Sequence, residues 1–64
     1  MPVIEIRAHP RGAWYVHDEE DGTRTEHATE TAAERAALAQ AAERDQCRVV
    51  VIDRYMRARV VRGG

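Results

Sequence analysis

Arg48-Val49-Val50-Val51-Ile52 is the segment that most restricts how this chain folds. It is apolar on both parities, whereas a strand with one face in water alternates. Such a run reads as an internal strand covered on both faces, so the fold must contain a sheet. Flanking segments supply the other strands. Val3-Ile4-Glu5-Ile6-Arg7-Ala8 alternates, with Ile4, Ile6 and Ala8 on one face and Glu5 and Arg7 on the other. Pro10-Arg11-Gly12 interrupts it, and Ala13-Trp14-Tyr15-Val16-His17 resumes the alternation with Trp14 and Val16 inward. The acidic run Asp18-Glu19-Glu20-Asp21 then meets Gly22, and Asp-Gly signals a short hairpin with a solvated turn. Thr23 to Ala28 gives a third, weakly hydrophobic strand suited to an edge. Asp53-Arg54-Tyr55-Met56 reads as a turn, although it lacks Gly, Pro and Asn, and Arg57 to Arg62 alternates as a last strand.

Between the third strand and the valine run lies a helix. Thr31-Ala32-Ala33-Glu34 fits a capping box, with Thr29 as a competing cap two residues earlier. From Ala32 to Arg44 nearly every residue favours helix. Ala33, Ala37 and Ala41 recur every fourth residue and form a smooth ridge that lets a backbone lie close to a sheet. Leu38 and Ala42 widen that buried face, while Glu34, Arg35, Glu43 and Arg44 stay wet. Asp45 and Gln46 end the helix without the usual Gly. The predicted order is β-β-β-α-β-β: an α+β, two-layer fold, one small sheet with a single helix packed on one face. Residues 1–62 form a single small domain, and 63–64 a frayed tail.

Composition sets the limits. Of 64 residues 44% are hydrophobic, but Ala accounts for 11 of these, Leu38 is the sole leucine, and Phe is absent. So short a chain gains only about 3–5 kcal/mol from its own core, and burial against a partner is expected. The net charge of −1 does not advertise a nucleic-acid binder. Its distribution is uneven, because residues 1–43 are acidic on balance and residues 44–64 basic. All ten basic residues are Arg, which together with the Ala excess points to a GC-rich genome rather than to chemistry. Cys47 stands alone, which excludes an internal disulfide and fits a reducing cytoplasm. No stretch approaches the roughly 20 apolar residues of a membrane span.

Pro10, Gly12, Trp14-Tyr15-Val16, Gly22, Thr29 or Thr31, the Ala33/Ala37/Ala41 ridge, Val49-Val50-Val51 and the closing strand come in a particular order. That order resembles the small bacterial and phage family catalogued as domain of unknown function 2188. The family usually has Asp-Gly in the last turn, where this sequence has Tyr55-Met56. The resemblance implies a fold and no activity.

Enzymatic constellations are missing from the sequence. There is no serine for a Ser-His-Asp set, and a Cys beside a buried strand usually packs rather than reacts. His9, His17 and His27 lack paired ligand spacing with Cys47, so neither a metal nor a cofactor is expected. What remains is a non-catalytic protein–protein interaction or regulatory module, expected in the cytoplasm as a small phage or bacterial regulator docking on a larger protein. The apolar surplus of the strands predicts a homodimer through the sheet face opposite the helix, with Tyr15, Val50 and Ile52 the residues expected there; the sequence leaves open which parity of residues 48–52 faces the helix. The alternative is weak nucleic-acid binding through Arg54, Tyr55, Arg57, Arg59 and Arg62, with Arg57 and Arg59 on one strand face. Alternating arginines also serve simply to keep an edge strand from aggregating.

Overall fold

The computed structural model describes residues 2–44 and 46–63. Three strands come first: β1 (Val3–Ala8), β2 (Trp14–Asp18) and β3 (Arg24–His27). The helix α1 (Glu30–Ala42) then crosses to β4 (Arg48–Ile52), and β5 (Ala58–Gly63) closes the chain. All five strands form one mixed sheet in the order β3-β2-β1-β4-β5, with α1 packed on it as the second layer, so the fold is α+β. β1 and β4 pair in parallel, and every other pair is antiparallel. A parallel neighbour requires a long crossover, and the helix supplies it.

Alternation along the strands decides what meets the helix. Ile4, Ile6, Val16, Val49 and Val51 are buried against Ala33, Ala37 and Ala41, and Cys47 completes this core. The parity of the valine run is thereby settled, with Val49 and Val51 toward the helix. A single helix shields one face only, and Val50 and Ile52 lie half-buried on the other. Trp14, Ala36, Leu38 and Val61 pack at the margin of the core, whereas Ala42 is exposed.

The helix begins at Thr29, not Thr31. Thr29 has extended backbone (φ −134°, ψ 158°), and its hydroxyl accepts from the Ala32 amide at 3.1 Å. The earlier start brings Glu30 into the first turn, where a carboxylate favours the helix dipole. Glu30 and Glu34 there both receive the Arg59 guanidinium, at 3.0 and 3.2 Å, so Glu34 closes no capping box. At the other end Gln46 takes the left-handed conformation (φ 56°) that a Gly usually fills, and Asp45 lies outside the described residues. Gly63, expected to fray, ends β5 opposite Arg48, while Gly64 lies outside the described residues.

The acidic run is only partly a solvated turn. Gly22 provides the positive φ (75°) of the hairpin. Asp18, however, continues the Trp14–Val16 parity and is 1% exposed. Its Oδ2 meets Arg44 at 2.5 Å, and its Oδ1 accepts from the Glu20 amide at 3.0 Å. Arg44, read from sequence as wet, also lies 3.5 Å from Glu20 and from Asp21. Contact with Arg44 outweighs burial and holds the Asp18 carboxyl below its ordinary value. A carboxyl with a depressed folded-state pKa stabilises the fold above its unfolded value and loses that contribution as pH falls. The denaturation midpoint should therefore drop on acidification below about pH 4. Asp18→Asn should start lower at neutral pH and lose less on acidification, which paired urea titrations at pH 7 and pH 3 would check.

Candidate functional site

The face of the sheet turned away from α1 follows from the same parity. Across it run two rows, Glu26–Tyr15–Arg7–Ile52–Ala58 and Arg24–His17–Glu5–Val50–Val60. β4 and β5 thus present an apolar half, in which Val60 is 57% exposed and Val50 and Ile52 are half-buried. β1, β2 and β3 present a polar, aromatic half.

Structure and sequence agree in part on which residues come together. Tyr15, Val50 and Ile52 do share one face, but the β1 side chains Glu5 and Arg7 stand between Tyr15 and the β4 pair. Two strand spacings separate them, roughly 10 Å. The apolar patch extends instead to Val60, which the sequence reading left out although the alternation of Arg57 to Arg62 contains it.

The basic residues of the carboxyl end do not form one surface. Arg54 and Tyr55 lie in the β4–β5 turn, and Arg57 follows just ahead of β5. Asp53 organises this turn, its Oδ1 accepting from the Tyr55 and Arg57 amides at 2.8 and 3.0 Å. The Arg57 guanidinium lies 5.9 Å from the Tyr55 ring centroid. Arg59 is opposite Val51 and engaged by the helix carboxylates, so it does not share a strand face with Arg57. Arg62 is opposite Val49, beside a register shift between Val49 and Val50 that leaves Val61 as the extra residue of a bulge.

Histidines and cysteine are dispersed. His9 meets Tyr15 edge-on, His27 Nε2 lies 2.9 Å from Thr25 Oγ1, and Cys47 is fully buried. Among the described residues no group of three or more His, Cys, Asp and Glu side chains is arranged to hold a metal ion. No helix among them is long and apolar enough to cross a membrane. No family model, no curated protein and no solved structure matches the chain.

The turn displays its side chains at a conformational cost. Met56 has φ 63°, in the left-handed region that disfavours a side chain, and is 73% exposed beside Tyr55 at 74%. A left-handed residue other than Gly is held at a cost of about 1 kcal/mol or more. Met56→Gly should accordingly raise the melting temperature by a few degrees despite the added chain entropy, and calorimetry would measure it.

Proposed function

We propose that this chain is a non-catalytic interaction module that pairs with a second copy of itself through the β4–β5 half of its open sheet face. The observation that carries the reading is the uncovered second face of β4, where Val50 and Ile52 adjoin Val60 and Ala58. A nine-residue core that includes three alanines and a cysteine is small, and a second copy supplies apolar volume that the chain lacks. A two-fold contact sets the same patch against itself, which needs no second kind of surface. A standard interface takes about 800 Å² from each partner, near a fifth of the 4309 Å² surface. A buried, lone cysteine suits a reducing cytoplasm, and we place the module there as a small regulator of bacterial or phage origin. The resemblance to domain of unknown function 2188 bears on the fold and contributes no activity to this reading.

Substitution by parity tests the reading. Val50→Asp with Ile52→Asp should yield a folded monomer, and Val49→Asp with Val51→Asp should unfold the domain, as read by light scattering and circular dichroism. A monomeric parent protein at several hundred micromolar would refute the pairing.

A further inference from the structure

The other half of the open face carries a different chemistry. Its middle strand, β2, presents Tyr15 and His17, with Arg7 and Glu26 on either side of Tyr15 and Glu5 and Arg24 on either side of His17. Arg24 reaches diagonally, and its guanidinium lies 4.9 Å from the Tyr15 ring centroid. His9 abuts the same ring edge-on, with centroids 5.0 Å apart and planes at 75°, which fixes the orientation of the tyrosine. Around these side chains is a groove of about 710 Å³, lined by Glu5, Arg7, Tyr15, His17, Gly22 and Arg24. That volume falls in the range of small-ligand sites, about 300–1,000 Å³.

Both guanidiniums of the groove are accessible to an anion. Arg24 has no ion-pair partner among the described residues, its neighbour being the face of Tyr15. Among the described residues Arg7 pairs with Glu5 on its own strand, at 3.3 and 3.4 Å, and its half-exposed guanidinium keeps N–H groups open to solvent and to an incoming anion. Guanidinium planes and aromatic rings both stack on flat π-systems, and the outward N–H groups of arginine suit phosphate oxygens. Two cations placed on opposite flanks of an aromatic strip call for a ligand that is flat in one part and anionic in another. Simple carboxylates and inorganic phosphate would leave the strip unused. Glu5, which also lines the groove, offers carboxylate oxygens that suit exocyclic amino groups.

We infer that this groove binds a nucleobase bearing a phosphate, as a mononucleotide or as one residue of a single strand. The base stacks on the Tyr15–Arg24 pair or on His17, and the phosphate is held by Arg7 and Arg24. This site uses other residues than the self-association patch, although its Glu5 and Arg7 adjoin Val50 and Ile52 across β1 and β4.

Heteronuclear NMR titration of the full chain tests it, with adenosine monophosphate in one arm and a ten-residue oligothymidylate in the other. Saturable shifts centred on Tyr15, His17 and Arg24 are expected in at least one arm, and the arm that responds more strongly identifies the free nucleotide or the strand. Arg7→Gln and Arg24→Gln, both at exposed positions, should each weaken binding tenfold or more while the amide spectrum stays folded. The Val60→Asp variant, one strand farther from the groove, should bind like the parent. Absence of shifts at millimolar ligand, shifts confined to residues 54–57, unchanged affinity in both arginine variants, or loss of binding in the Val60 variant would each overturn the assignment.

Discussion

The contact between an alanine ridge and a β-branched sheet face is what the rest of this molecule depends on. Ala33, Ala37 and Ala41 carry no side chain beyond Cβ, so the α1 backbone settles close over Ile4, Ile6, Val16, Val49 and Val51. Close approach gives dense packing from few atoms. It leaves the other face bare, since the described residues form a single helix. The uncovered half of β4 is therefore a direct outcome of how the covered half is built.

Charge fixes the helix at both ends of that contact. Arg59, from the edge strand β5, reaches Glu30 and Glu34 in the first turns. Arg44, just past the last turn, reaches Asp18 at the end of β2. Each pair places its charges where the helix dipole favours them, carboxylates at the start and a cation at the finish. The two pairs are unequal. Arg59 is exposed and its bonds compete with water, whereas Asp18 is enclosed and would be left as an uncompensated charge without its partner.

Much of this architecture was legible in the sequence because strand alternation is a strong signal. The five strands, the single helix, the edge position of β3 and the inward set Ile4, Ile6 and Val16 all follow from parity. Local chemistry was read less well where two options lay close together. Thr29 and Thr31 are both competent caps, and the fold uses the first, whose hydroxyl accepts from the Ala32 amide. Asp18 sat in a run of four acidic residues and looked like the others, yet one more step of the β2 alternation places it inward. The grouping of Arg57 with Arg59 failed for a different reason, since Asp53 draws the Arg57 amide into the turn and delays the strand by one residue. The Tyr15–Arg24 stack was not legible, because it joins positions whose register depends on the hairpin loop.

The bulge in β5 bears on how the open edge of the sheet meets other strands. An edge strand with a regular ladder offers a template on which further strands add without limit. Here the register shift between Val49 and Val50 bends that edge, and Val61 turns back toward the core margin. Arg59 and Arg62 flank the irregularity with charge. Strand addition along the hydrogen-bonding direction is thus disfavoured at β5. An irregular, charged edge of this kind works against open-ended, fibre-like addition of strands.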